Sequence, residues 1–276
     1  MLSLGNMIRK SQPALFWCMR SLSKPKREAV YTLFAFCRHL DSVSRSTMPI
    51  REKWDLLNAW REELDNIYDR KVPATNIGRK IYKNCMRFNL PKELWQEILN
   101  SAVLNSESPL LAPDNQKFEQ YVRGIAEVPF QLALIIIEPE HLKAGEELAK
   151  NLGRAVLMTY VLRDVKDDAK SGRLYIPMNI LSQADVKLGT PREIIEDKNF
   201  YVAREKMAEQ AEKGYIKAER LLAKMDYADT RVLRLVYSLG LCQFEMMQKR
   251  GWEIISPKPK VNLAKRLHIL YRTIFG

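Results

Sequence analysis

The chain has 276 residues, 46% hydrophobic and 28% charged, which is enough apolar material for a sizeable core and lacks the bias of a disordered or fibrous chain. Its formal net charge of +12 (45 basic against 33 acidic side chains) points to an anionic partner such as a diphosphate or an acidic membrane surface. The charge is spread along the chain and no nucleic-acid motif occurs, which argues against nucleic acid; four cysteines without a C-x-x-C pair and three scattered histidines argue against zinc and suit a reducing compartment.

Helix-period runs dominate and nothing reads as a series of strands. No acidic residue precedes Glu28, so the first residues carry the charge of a mitochondrial targeting segment. They lack a cleavage signal, and most of that stretch is read as part of the fold. The spacing predicts a helix over 26–45, with Val30, Leu33, Phe34, Cys37, Leu40 and Asp41 in register. Pro49 opens a second helix to residue 69, with Trp54, Leu57, Trp60, Leu64 and Ile67 on its buried face. A third covers 76–88, and Pro91 opens a fourth carrying Leu94, Trp95, Ile98 and Val103.

After a loop over 106–116, an apolar helix starts at Phe118, breaks or kinks at Pro129 and closes at Glu138-Pro139. Its longest apolar run, 130–137, is too short to span a bilayer. A central helix follows over 143–168, then a loop at Gly172, Pro177 and a connector. Two more helices cover 199–225 and 231–250, the latter ended by Gly251. The tail mixes Lys258, Lys260, Lys265, Arg266 and Arg272 with Leu267, Ile269, Leu270 and Ile274. It reads equally as a basic segment lying on an anionic membrane or as a last helix packed on the domain. With no linker and no repeat, residues 1–276 form one all-α domain. Trp54, Trp60, Trp95 and the cysteines are read as packing, and His39 as a helix-surface residue.

The densest chemistry lies in 151–177, NLGRAVLMTYVLRDVKDDAKSGRLYIP. Asp164 and Asp168 are four apart and share a helix face. Alone, such a pair reads as a solvated helix end. Traced backwards, however, the same stripe runs through Tyr160, Leu157 and Gly153, so carboxylates at one end give way to apolar residues. That pattern suits a diphosphate head group with a hydrocarbon tail. Carboxylates one turn apart also suit Mg²⁺, which takes one or two of them and completes its shell with water and phosphate. Arg163, Lys166, Lys170 and Arg173 surround the pair.

LRDVKDDAKSGRLYIP (162–177) resembles the second aspartate-rich motif of the squalene/phytoene synthase family, and REAVYTLFAFCRHLD (27–41) resembles its first. FWCMRSL (16–22) and Gly251-Trp252 with its basic tail are also similar, so the resemblance covers about residues 13–275. It is nearest to the bacterial presqualene diphosphate and squalene synthases.

The resemblance implies a terpenoid synthase fold, a single helical domain around a central cavity. It also implies Mg²⁺ between facing carboxylates and prenyl diphosphate substrates. The reaction would be head-to-head condensation in isoprenoid biosynthesis, from farnesyl diphosphate to presqualene diphosphate or squalene, or from geranylgeranyl diphosphate to phytoene. Carried over by position, Asp41, Asp164 and Asp168 are metal ligands, and Asp41 and Asp164 are catalytic together with Tyr121 near the reacting carbons. Arg38, Arg163, Arg173 and Tyr175 hold diphosphate. No glycine fingerprint supports a bound dinucleotide.

The departures fall on the same site. Where the first motif has a second aspartate, this chain has Arg45; Leu157 and Tyr160 stand for polar residues; Glu127 and Phe130 stand for small ones; Pro13 to Phe16 also differ. A guanidinium within reach of Asp41 or Asp164 would take a metal's electrostatic place. Three readings follow: an active synthase; a catalytically impaired member acting in binding or assembly, as in the respiratory complex I assembly branch; or a subunit beside an intact homologue. The protein is then cytoplasmic, or peripheral on a membrane through its tail, and mitochondrial if eukaryotic.

Overall fold

The computed structural model describes residue 9 and residues 13–107, 109–139 and 142–275. The targeting reading of the first dozen residues, Arg9 apart, therefore lies outside the described residues. Helix α1 (Pro13–Met19) leads into α2 (Lys24–Ser44), α3 (Ile50–Tyr68), α4 (Asn76–Phe88) and α5 (Lys92–Glu107). Then come α6 (Asn115–Val122), a π turn (Arg123–Glu127), α7 (Val128–Ile137) and the central α8 (Leu142–Lys170). Short helices α9 (Met178–Gln183) and α10 (Pro191–Glu196) occupy the connector, followed by α11 (Phe200–Leu222), α12 (Tyr227–Arg250) and α13 (Leu263–Phe275). The chain is all-α as expected; among the described residues the only β feature is an isolated bridge between Leu111 and Leu174.

Two apolar clusters hold the bundle. In the first, α1–α5 and α7 pack around Phe36, whose ring meets Trp60 at 5.1 Å and Trp95 at 5.2 Å, both edge-on. In the second, α11 and α12 pack on α8, where Leu148, Leu152, Ala155, Met158, Leu162 and Val165 are buried. The stretch from α6 to α7 contributes to both.

Trp54 is a correction: it is 42% exposed, outside the buried face. Stepping back from Leu57, the buried stripe continues at Lys53 rather than at Trp54, and the Lys53 ammonium donates to the Ser44 carbonyl at 3.2 Å. A cation there satisfies the carbonyl end of α2.

Pro129 does not break the helix, which runs through it. The π turn just before it widens the backbone where a proline ring would otherwise meet a carbonyl. Asn115–Ile137 is consequently long and apolar enough to cross a membrane. Its place in the bundle accounts for that composition, with Val122, Val128, Leu132 and Ile137 fully buried.

The π turn also brings α5 close. A Cβ on Gly124 would lie 2.2 Å from the Ser101 Cβ and 2.8 Å from the Glu97 carbonyl oxygen. Gly124→Ala should therefore destabilise by about 1–3 kcal/mol despite alanine's better helix propensity. A thermal melt measures this, and Ser101→Gly in the same chain should recover part of the loss.

Candidate active site

The end of α8 is built by its terminator. Gly172 has φ +72°, and the amides of Gly172 and Arg173 donate back to the carbonyls of Ala169 (3.1 Å) and Asp168 (2.9 Å). This is a Schellman closure, the reason a glycine stands there. It reverses the chain so that 173–177 runs extended beside the loop before α6. Leu174 N–H donates to Leu110 O at 2.8 Å and Ala112 N–H to Leu174 O at 2.9 Å. Tyr175 is thereby swung against α6, and its ring stacks on Tyr121 at 4.8 Å and 15°.

Across from this closure lies the end of α2. Arg45, the first residue after α2, donates from Nε to Asp41 Oδ1 at 2.8 Å, and its Nη1 lies 3.5 Å from Asp168 Oδ1. Its guanidinium sits 5.6 Å from the centre of the Tyr175 ring. One side chain therefore joins both aspartate motifs and faces the Tyr175 ring. The Asp168 carboxyl is pushed up by burial, an effect Arg45 partly offsets. Burial holds the Tyr121 hydroxyl well above its ordinary range and raises Tyr175 too, so both stay protonated near neutral pH. An open cleft of about 500 Å³ faces this end, lined by Arg38, Asp41, Ser42, Arg45, Ser46 and Thr47.

Asp164, one turn earlier on α8, is bound separately. Arg163 grips it through Nε (2.9 Å) and Nη2 (2.5 Å) and donates from Nη1 to Gln243 on α12 at 2.9 Å. The same guanidinium lies 4.5 Å from the centre of the Tyr160 ring. Lys258 bridges Asp164 and Asp167, both at 2.6 Å. Burial works against the Asp164 anion, but hydrogen bonds from Arg163 and Lys258 prevail and hold its carboxyl below the usual range.

Lys258 lies in a segment anchored by two arginines. Arg250 donates to Ile254 O at 2.9 Å and to Pro257 O. Arg204, 1% exposed, donates to Leu162 O at 3.2 Å, Ile254 O at 3.3 Å and Trp252 O, which ties the tail to α8. Burial pulls the Arg204 pKa down to about 10, leaving it charged at neutral pH.

The fold thus brings Asp41, Asp168, Tyr121, Tyr175 and Arg38 to one end of the bundle, with Asp164 adjacent. Arg163 spends its donors on Asp164 and Gln243. Arg173 is buried, and its Nε has no acceptor among the described residues. Lys258 and Gln243 were not expected, because contacts this distant in the chain leave no local pattern. His39 is exposed as expected, its ring 5.7 Å from that of Trp60.

The three aspartates expected to bind Mg²⁺ do not fit it as folded. Asp41 and Asp168 share Arg45, Asp164 holds Arg163 and Lys258, and no group of three acidic, histidine or cysteine side chains among the described residues could hold a metal. A larger cavity of about 680 Å³ lies between α11, α12 and α13, away from the carboxylates. Arg234, which lines it, is committed to Thr230 and the carbonyls of Leu222 and Met225.

The squalene/phytoene synthase family model matches residues 8–267. The presqualene diphosphate synthase of Rhodopseudomonas palustris is 27% identical over 93% of this chain and 91% of its own. That of Zymomonas mobilis is 26% identical over 92% of this chain and 86% of its own. Among solved structures, a dehydrosqualene synthase in complex with ligand superposes with TM-score 0.81 at 19% identity, covering 98% of this chain and 94% of its own. The squalene synthase HpnC of Alicyclobacillus acidocaldarius gives 0.78 at 18%, covering 90% and 93%. At such identities the structural matches speak for the fold.

Lys258 generates a pH prediction. A carboxyl depressed below its unfolded value adds stability above that value and loses it as pH falls through the folded one. Lys258→Met removes a hydrogen bond that depresses both Asp164 and Asp167, so each should protonate at higher pH. The midpoint of acid unfolding, followed by circular dichroism, should move up in pH; a downward shift would contradict the assignment.

Proposed function

The chain belongs to the squalene/phytoene synthase family, and on that premise we propose that it condenses two farnesyl diphosphates head to head to presqualene diphosphate. The observation that carries this reading is the convergence of the two aspartate motifs, with the tyrosine pair, at one end of the bundle in a chain similar over nearly its whole length to presqualene diphosphate synthases. In such a reaction the C1–O bond of one substrate breaks and the electron pair leaves with diphosphate. The double bond of the second chain supplies the pair for a new carbon–carbon bond. Loss of a proton closes the cyclopropane, and the second diphosphate is retained.

Each part of the site has a task in that scheme. Arg38 and Arg45 line the cleft, and guanidinium groups suit a departing diphosphate because they offer paired donors to its oxygens. Tyr121 and Tyr175 lie behind Arg45 as stacked, buried rings, which suit a wall that keeps water from a carbocation. Leu157 and Phe130, packed against the second core, are apolar wall.

A second reading, a member that holds prenyl diphosphate or a protein partner without turnover, is favoured by one observation. Phe130, Leu157 and Tyr160 occupy, as bulky side chains packed on the core, positions where the family resemblance expects small or polar ones. To separate the two, the purified protein is supplied with labelled farnesyl or geranylgeranyl diphosphate, with and without Mg²⁺. A coupled product from farnesyl diphosphate, reduced about 100-fold or more in Asp164→Ala, is the expected result. Absence of turnover on both substrates, alone and beside an intact homologue, supports the second reading.

We also propose that the protein works as a peripheral protein on an anionic membrane. The support is on α13, where Leu263, Leu267, Tyr271 and Phe275 are 55% to 74% exposed on one side of the helix. Lys265, Arg266 and Arg272 flank them, all exposed. An apolar stripe bordered by cations is the pattern of an interfacial helix. The wild-type protein should sediment with vesicles containing phosphatidylglycerol and not with pure phosphatidylcholine. Leu267→Asp with Tyr271→Asp should abolish that sedimentation while leaving the thermal melt unchanged.

A further inference from the structure

Enzymes of this family generally use Mg²⁺, yet the carboxylates of this chain are already paired. We propose that Arg45 is a tethered cation joining Asp41 to Asp168 in place of a divalent ion, and that this cleft binds a diphosphate group without metal. The inference rests on the reading that the cleft takes a diphosphate.

Two facing carboxylates repel, and without a cation between them one is driven to hold a proton. Here the guanidinium lies between them, 2.8 Å from Asp41 and 3.5 Å from Asp168. A Mg²⁺ entering this space would have to displace a cation covalently fixed to the end of α2 and would then lie beside it. Lys258 has the corresponding position between Asp164 and Asp167, so the second carboxylate pair is closed too.

The anion side follows from the residues that line the cleft. Arg45 turns Nε and Nη1 toward carboxylates, and its side chain is 38% exposed at the cleft. Arg38 lines the same space and is exposed, with Ser42, Ser46 and Thr47 around it. The Tyr175 ring, stacked against Tyr121, faces the Arg45 guanidinium from the inner side. A cleft lined by two guanidinium groups with three hydroxyl side chains around them points to an anion with several oxygens.

The test uses inorganic pyrophosphate as probe, by isothermal titration of the full chain in EDTA and in excess Mg²⁺. Wild-type affinity should change by less than about threefold between the two conditions, since the cation is built in. Arg45→Asp should lose about tenfold or more in EDTA and recover it with Mg²⁺, having exchanged a fixed cation for a metal site. Arg45→Gln, which adds no like charge, should weaken binding in both conditions without recovery and guards against misfolding of the aspartate variant. Wild-type binding that appears only with Mg²⁺ overturns this inference and leaves the diphosphate reading standing. Absence of binding in both conditions overturns the diphosphate reading and the inference with it. Mn²⁺ titration followed by paramagnetic resonance gives an independent readout: the free-ion signal should be unchanged by wild type and reduced by Arg45→Asp.

Discussion

Three carboxylates at the carbonyl end of the longest buried helix demand positive charge, and much of this structure answers that demand. Asp164, Asp167 and Asp168 fall in the last two turns of α8, where the helix dipole is already negative and anions are disfavoured. Asp41 stands similarly near the end of α2. Helix termini of this polarity attract cations, and each carboxylate here has one: Arg163 and Lys258 at Asp164, Lys258 at Asp167, Arg45 at Asp168 and Asp41. The ends of α2 and α8 are thus held together by charge, where a shared metal would be the alternative device.

Placing those cations required the rest of the chain. Lys258 arrives from a segment that Arg204 and Arg250 bind through backbone carbonyls, so α11 and α12 position a charge for α8. Burying Arg204 is offset by three carbonyl acceptors, one of them in α8 itself. The Schellman closure at Gly172 turns Tyr175 inward, so that its ring lies beside the Arg45 guanidinium that reaches Asp168. The framework that forms the site and the framework that neutralises it are therefore the same.

Much of this was legible in the sequence. The long helices follow from apolar spacing because their buried faces are continuous, and Gly172 and Gly251 marked their ends by left-handed geometry. Asp164, Asp168 and Asp41 were found because spacing on a helix fixes a face. Trp54 misled because large aromatic residues also occur at stripe edges, and Lys53 was the true member despite its charge. The connector helix α10 was readable and was missed: Thr190, Pro191 and Glu193 form a capping box, with the Thr190 amide donating to the Glu193 carboxylate at 2.8 Å. The π turn and the contacts of Lys258 were not readable, since both arise from tertiary packing that no local pattern records.

The departures from the family pattern are consistent with one another. Glu127, where a small residue is expected, is buried, and an unpaired carboxylate there would cost several kcal/mol. It is instead paired, with Arg154 at 2.9 Å and Arg123 at 3.9 Å, and Arg154 is also held by Glu119. Tyr160, where a polar residue is expected, offers its ring to Arg163, which in turn grips Asp164. Arg45, where a carboxylate is expected, finds two acids and an aromatic face. Each charged residue at an exchanged position thus has partners of opposite sign, and Tyr160 and Tyr175 add aromatic faces to the guanidinium groups, so the charges at this end of the bundle are neutralised within it.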